Sequence, residues 1–379
     1  MIADVWHPMQ NPILYALPVF AVCIALEAAF YAYDARHEAR AADQGYSGID
    51  TRTSLAMGVG ALSVMTLFKL ITLVLFVYLW VEVAPWHIPA DTWWSWVLLA
   101  VIVDLAWYCN HRFSHRVRIG WAAHQAHHSS EYFNFGTALR QKWNPWSEAA
   151  FWLPLPLLGF EPQAIYVVFG ANLVYQFFSH TERVGKLWAP IEFVFNTPSH
   201  HRVHHGSDQI YLDRNYGGIL ILWDRMFGSF QPELHTPTYG LTSPVNSYNV
   251  LYLQYHEYGK ILRDVRRARG LRTRLGYIVG PRAGSRRTSS RARYSPWRPS
   301  RPHDKPFGGP APNAGHEQAA ARGPRGAVAG RGREGVRSGR VRRCVARRHR
   351  RSGGGQQGPG AHLLRLQGVA VRRVCERRR

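Results

Sequence analysis

The stretch TSLAMGVGALSVMTLFKLITLVLFVYLWV, residues 53–81, carries a single charge, Lys69, in 29 residues. An α-helix needs about 20 predominantly apolar residues to cross a bilayer, so this segment is long enough. It has companions. Residues 11–26 hold no charge, residues 92–110 hold only Asp104, and residues 162–181 hold none. The last of these belongs to a longer region, 149–180, interrupted by Pro154, Pro156 and the run GFEP at 159–162. Such breakers predict two short crossings or a re-entrant hairpin, either of which returns to its starting side. One short apolar run is equally compatible with a buried soluble core. Four of them with Trp, Tyr and Phe at their ends favour a membrane. The expected fold is an all-α integral membrane protein with about four membrane-embedded helical segments.

The charge divides the chain. Of 379 residues, 47 are Lys or Arg and 24 Asp or Glu, a net of +23. Residues 1–280 hold 21 and 20 of these, so the excess lies almost wholly in 281–379. A basic pI usually invites a nucleic-acid partner, but here it says nothing about the first 280 residues, and no nucleic acid is expected there. Four cysteines, Cys23, Cys109, Cys344 and Cys375, are too scattered for a disulfide framework or a CxxC zinc site. Basic residues alternate between loops: Arg36, Arg40 and Arg52 in 34–52, none in 82–91, and Arg112, Arg116, Arg118, Arg140 and Lys142 in 111–148. Basic loops stay cytoplasmic. The N-terminus is thus expected outside, with residues 111–146 and those after His180 inside. The first apolar run has no basic flank, so a cleaved signal peptide is not expected.

Ten of the 19 histidines fall between residues 111 and 205. His111 and His115 form HxxxH; His124, His127 and His128 form HxxHH; His201, His204 and His205 repeat it. Residues three and four apart share a helix face, so each group is expected to project its imidazoles in one direction. Three such groups point to metal, and eight nitrogen donors exceed what one ion takes, so two adjacent ions are expected. Imidazole alone does not choose the metal. An HExxH protease would need Glu where this chain has Arg112. An oxygen-activating di-iron site and a metal transporter remain. The transporter would need ligands within the crossings, whereas these lie beyond the apolar runs.

The runs HRFSHRVRIGWAAHQAHHSSEYFNFGTALRQ and NTPSHHRVHHGSDQIYLDRNYGGILILWDRMFGSF resemble the fatty acid hydroxylase and sterol desaturase superfamily, nearest its alkylglycerol monooxygenase branch. The resemblance spans roughly residues 10–280 and implies a membrane-bound di-iron oxygenase that uses O2 to hydroxylate or desaturate a lipid. It implies two iron ions held by His111 and His115, by His124, His127 and His128, and by His201, His204 and His205. His180, in QFFSHTE, matches a further position that often binds metal, and His201 fits the third motif better than His200. The branch implies an ether lipid as substrate and a tetrahydropterin as reductant. The rivals within the superfamily are a sterol or hopanoid desaturase and a fatty acid hydroxylase, supplied by ferredoxin or a cytochrome b5-type donor.

Asp104 lies seven residues before His111, on the same helix stripe. A carboxylate there is placed either to accept the free N–H of a ligating imidazole or to pair with another buried group such as Lys69. Glu131 and Asn134, just after the second motif, are weaker candidates for the same support. Arg140 and Arg202 could hold a lipid headgroup or an acidic partner. Residues 213–230 are expected to form a lid over the third motif, with Gly217 and Gly218 allowing close backbone packing. In the 99 residues of 281–379, Arg, Gly, Ala and Pro number 25, 16, 12 and 9, with one Lys. All four are encoded by codons beginning with two G or C bases, so this tail reads as a GC-rich frame translated out of register. The alternative is a disordered basic segment.

Overall fold

The computed structural model describes residues 11–37 and 45–281. Three long helices form where the apolar runs predict them: α1 (Pro12–His37), α2 (Gly48–Tyr78, prolonged by a π turn at Leu79–Val83) and α3 (Trp93–Arg116). Each is long and apolar enough to cross a membrane. A soluble helix buries its apolar stripe and exposes polar residues. These do the reverse: Val59 and Ile71 of α2 are 69% and 63% exposed, and only 17% of its most apolar window is buried. Exposed leucines and valines around most of a helix are stable in lipid and not in water. The soluble-core alternative is therefore excluded for these helices.

Each long helix keeps one stripe for its neighbours. On α1 the buried residues are Ala16, Phe20, Glu27 and Tyr31, which share a face. Phe20 stacks on Phe177 at 3.8 Å, fixing α1 to a later helix, α8. Between α3 and α8 sits the main apolar core, with Leu99, Val103, Trp107, Trp152 and Phe169.

Short helices link the long ones: α4 (Arg118–His124), α5 (Phe135–Ala138), α6 (Ala149–Trp152) and α7 (Pro154–Leu157), then α8 (Pro162–Phe178). The fourth apolar region is a broken hairpin, α6–α7 then α8. Pro154 and Pro162 each open a helix, where a missing N–H leaves nothing unpaired. At the bend Gly159 has φ +90°, and a Cβ there would lie 2.5 Å from the Trp86 carbonyl. The bend meets the α2–α3 connection through Ile88 N–H and Trp80 Nε1–H, both donating to the Gly159 carbonyl. Both ends of the hairpin therefore lie at the opposite pole, with the histidines, as a returning segment requires. Of the four expected segments, three meet the length and hydropathy of a crossing.

The remaining described helices are α9 (Ala189–Val194), α10 (Pro198–His205), α11 (Leu222–Met226), α12 (Val250–Arg267) and α13 (Leu271–Val279). Among the described residues there are no named strands, only isolated bridges such as Val117 with Pro281. Strongly amphipathic α12 packs Leu253 against Met57 and Ala126, and Arg118 ties α4 to it through Asp264 at 2.6 Å. The tail expected at 281–379 lies, beyond Pro281, outside the described residues.

Candidate metal centre

The last two turns of α3 carry His111 and His115, four residues apart on one face. Val117 leaves the helical conformation, and α4 turns back to deliver His124. A 3-10 turn, His127–Ser129, then carries His127 and His128. His180 follows the end of α8, and α10 supplies His201, His204 and His205. All nine are buried.

They form two groups. His111, His115, His124, His128 and His204 make one; His127, His180, His201 and His205 make the other; within each, one nitrogen per ring lies within 4.8 Å of the others. The adjacent pairs are split. His127 and His128 face different groups, as do His204 and His205. This corrects the expectation that each motif projects in one direction. Neighbouring residues on a helix point about 100° apart, and only the i, i+4 pairs (111/115, 124/128, 201/205) stay together. Each HH dipeptide thus links the groups, and the rings of His128 and His205 stack across the boundary at 4.3 Å.

The outward nitrogens are held by backbone carbonyls. His111 Nδ1 lies 2.9 Å from Tyr216 O, His127 Nδ1 3.0 Å from Arg140 O, His180 Nδ1 2.8 Å from Gln176 O and His204 Nδ1 3.0 Å from Arg214 O. A carbonyl can only accept, so each Nδ1 carries the proton and each Nε2 turns its lone pair inward. His127 Nε2 and His180 Nε2 then face each other at 3.4 Å with no proton between them. His204 Nε2 and His205 Nε2 are buried without a hydrogen-bond partner among the described residues. Inward lone pairs that meet without a proton between them, as at His127 and His180, or that are buried without a donor, as at His204, are unfavourable unless a cation sits among them, so the donor set fits metal. Burial, reinforced by neighbouring imidazoles, holds His124, His127, His128, His201 and His205 well below the usual histidine range. Burial likewise lowers His180 and His204 to about 4. Neutral imidazole is the ligating form.

His200 joins neither group and faces Glu192 at 3.0 Å. Asp104 needs a correction. It is fully buried and accepts from Asn172 Nδ2, Ile219 N, Leu220 N and Trp223 Nε1 at 2.7–3.0 Å, so its hydrogen bonds go to no imidazole and to no lysine. Those four donors come from α8 and from 219–223, and they fasten residues 213–230 onto α3. The same segment supplies the Tyr216 and Arg214 carbonyls, so Asp104 supports the histidines at one remove. Gly218 is required there, because a Cβ would lie 2.7 Å from Asp104 Oδ1 and 2.8 Å from Trp107.

Glu131 is exposed beside Gly240, outside both groups. Asn134 caps α5, accepting from Thr137 N at 3.1 Å and donating to Gly45 O at 2.7 Å. Its contribution is to the turn leading to Arg140. Neither arginine singled out for a headgroup is available for one. Arg140 is buried against Asp50, and Arg202 grips Glu233 with two bonds of 2.8 Å. Sequence reasoning missed Glu27, a buried carboxylate of α1 that accepts from Tyr46 OH, Phe135 N and Thr181 Oγ1, beside His180. Its one signal was an acid inside an otherwise uncharged run. It also missed Asp224, which accepts from Tyr216 N and Gly217 N at 2.8 and 2.7 Å.

Long apolar helices capped by two buried histidine groups define a membrane protein whose histidine cluster can bind metal. Residues 96–229 match the family model described as fatty acid hydroxylase. Over that span the chain is similar to the fatty acid hydroxylase family. Among curated proteins it is 40% identical over 230 residues to an alkylglycerol monooxygenase of Danio rerio, covering 60% of this chain and 51% of that one. It is 42% identical over 212 residues to the alkylglycerol monooxygenase of Homo sapiens, covering 55% and 46%. With the ornithine lipid hydroxylase OlsE of Rhizobium tropici it shares 29% over 159 residues, covering 39% and 46%. The chain spans about half the length of the curated relatives it matches. No solved structure gives a significant match.

Proposed function

We propose that this chain is a membrane-bound di-iron monooxygenase that uses O2 to hydroxylate a lipid, its substrates being ether lipids of the alkylglycerol type. The observation that carries this reading is the inward convergence of imidazole lone pairs in two buried groups. Residues 1–280 form the functional domain. His111, His115, His124, His128 and His204 hold one ion, and His127, His180, His201 and His205 the other. When bound, the iron pair supplies the activation of O2 needed to insert an oxygen atom into an unactivated C–H bond.

The chain's residues do the rest. The carbonyls of Tyr216, Arg140, Gln176 and Arg214 fix four rings in one tautomer and orientation. Phe133, buried and stacked on His180 at 5.6 Å, and Trp107, 5.5 Å from His111, shield the rings from water. Hydroxylation of the carbon beside an ether oxygen gives a hemiacetal, which separates into a long-chain aldehyde and a glycerol. The second oxygen atom leaves as water and takes two electrons, supplied by a tetrahydropterin. The arginines and lysine around the histidine pole support a cytoplasmic placement of the cluster, with the 149–180 hairpin embedded as the fourth membrane segment.

The name of the OlsE relative supports a second reading, hydroxylation of a lipid without ether cleavage. A sterol or hopanoid desaturase fed by ferredoxin or a cytochrome b5-type donor is the third. Incubating membranes with a 1-O-alkylglycerol, with and without tetrahydropterin, separates them. Pterin-dependent release of long-chain aldehyde is expected. An iron-loaded preparation that oxidises a sterol or hydroxylates an acyl lipid but yields no aldehyde would overturn the ether-lipid assignment.

A further inference from the structure

Helix α12 carries three stripes. Leu253, Gln254 and Ile261 are packed against the body of the protein. His256, Lys260, Arg263 and Arg267, at i, i+4, i+7 and i+11, form a polar stripe. Leu251, Tyr255, Tyr258, Leu262 and Val265 repeat at the same spacing on another flank, where Leu251, Tyr255 and Leu262 are exposed. The next helix, α13, has a similar face. Leu271, Leu275, Ile278 and Val279 share it, Leu271 is 73% exposed, and Arg272 and Arg274 flank it. Residues 265–280 hold five arginines, Arg266, Arg267, Arg269, Arg272 and Arg274, and no acid. All five are exposed. Two successive helices with open leucines beside a one-signed charge mark a contact surface.

Its level in the molecule says what covers it. Leu253 of α12 meets α2 at Met57, inside the run 53–81 where α2 already exposes Leu55 and Val59. Helix α12 therefore crosses α2 where that helix enters the apolar layer. Aromatic residues that favour a bilayer interface gather at the same level. Trp143 Nε1–H donates to the Met57 carbonyl at 2.8 Å, and exposed Trp146 lies 6.3 Å from the Tyr258 ring. A second copy of the chain fits less well, because a symmetric contact would bring the five arginines against their own counterparts. We propose that α12 and α13 lie in the plane of the membrane surface at the histidine pole, with their open leucines among the acyl chains and their arginines on acidic phospholipid headgroups. The unit also touches the turn between His115 and His124. Arg118 N–H donates to the Gly280 carbonyl at 3.0 Å, and its guanidinium lies 5.7 Å from the Tyr277 ring centre. Such a surface serves whether or not the histidines carry iron.

The test uses the full-length protein in nanodiscs of phosphatidylcholine, with and without phosphatidylglycerol, and has two readouts. A phosphatidylcholine bearing a diazirine on its acyl chain should label Leu251, Tyr255, Leu262, Leu271, Leu275 and Val279, and should spare His256, Lys260, Arg263 and Arg267. Amide hydrogen exchange over residues 265–280 should slow by about tenfold when phosphatidylglycerol is present, and high salt should remove the difference. The variant R266Q/R267Q/R269Q/R272Q/R274Q should lose that slowing, and the matching five-lysine variant should keep it. Both variants retain residues 281–379, so an effect of that basic segment would survive in each. Gel filtration and thermal melts report folding; if the glutamine variant fails there, R272Q/R274Q and the salt series decide. Slowing by phosphatidylglycerol that persists unchanged in the glutamine variant would overturn the proposal. So would the absence of lipid labels on both helices, or cross-links between two copies through α12 and α13 in their place.

Discussion

Arg140 and Asp50 form a buried ion pair at 2.5 Å, and the carbonyl of that same Arg140 holds His127 Nδ1 at 3.0 Å. One residue therefore connects α2 to the orientation of a histidine 13 positions earlier. Its guanidinium also reaches Ser54 and Ser129 at 3.2 and 2.8 Å. Removing one partner of such a pair strands a buried charge, at a loss of about 3–5 kcal/mol. Asp50→Ala is expected to destabilise the protein by that order, and Asp50→Ala with Arg140→Met by less than the two single changes together. Thermal melts of the four species in detergent check this. Strict additivity would deny the coupling.

The split of adjacent histidines makes a prediction about metal stoichiometry. Purified protein should bind about two iron equivalents, one per histidine group. His180→Ala and His201→Ala touch only the four-membered group, and His115→Ala only the five-membered one. Each should fall toward one equivalent, and a pair of changes taken from both groups should approach none. His128→Ala and His204→Ala should abolish turnover while leaving membrane insertion intact. Two equivalents retained in His180→Ala, measured by elemental analysis, would remove His180 from the ligand set.

Metal removal should leave an acid-sensitive protein. His180 and His204 are lowered from 6.5 to about 4 by burial. Between those values the unfolded chain binds protons that the folded chain refuses, so stability rises with pH across this window. The stabilisation of the neutral form is complete above about pH 6.5 and is lost as pH falls toward 4. Chelator-treated protein should therefore melt progressively earlier below pH 6.5, and iron-loaded protein should resist until the ligands protonate. A melting temperature of the metal-free form that is flat from pH 7 to 4.5 would contradict the burial of these rings.

Spacing alone made the histidine motifs legible as a candidate metal site, because i, i+4 histidines must share a face. It did not reveal which group each ring would join, since His127 and His128 sit on a 3-10 turn that follows α4. The four carbonyl partners were illegible for a simpler reason: a main-chain oxygen carries no residue identity. Asp104 was visible as an acid in an apolar helix, but its partners at 219–223 lie more than a hundred residues away. Neither partner weighed from the sequence, an imidazole or Lys69, is the one it has. Apolar length and prolines predicted the helices and the broken hairpin directly, because these depend on local composition.

Asp104 accordingly has a different expected phenotype from a ligand. Asp104→Ala removes the acceptor of four buried donors, each costing about 1–3 kcal/mol when left unpaired. Gly218→Ala pushes a methyl into the same carboxylate. Both changes should loosen residues 213–230 and with them the Tyr216 and Arg214 carbonyls. Iron should then be released faster on dilution into chelator from the five-histidine group, which contains His111 and His204, than from the four-histidine group. Unchanged release rates in both variants would mean that the segment does not govern the ligands.

Removal of the basic tail is the last case, and the structure says where to cut. Arg118 N–H donates to the Gly280 carbonyl at 3.0 Å, and Val117 bridges to Pro281. Those contacts close α13 against the turn between His115 and His124, so a chain ended before Gly280 would free the very loop that carries two ligands. A stop after Pro281 keeps them and discards 22 of the net positive charges. That shortened protein should insert, bind iron and turn over like the full chain, as an out-of-register tail requires. A stop before Val250 removes α12 as well, uncovering Met57 and Ala126 and breaking the Arg118–Asp264 pair. Deleting a buried leucine contact alone costs about 2–5 kcal/mol, so this second truncation should fail to accumulate as folded protein. Turnover lost in the longer truncation, with its melting temperature and iron content unchanged, would show that the basic segment takes part in function.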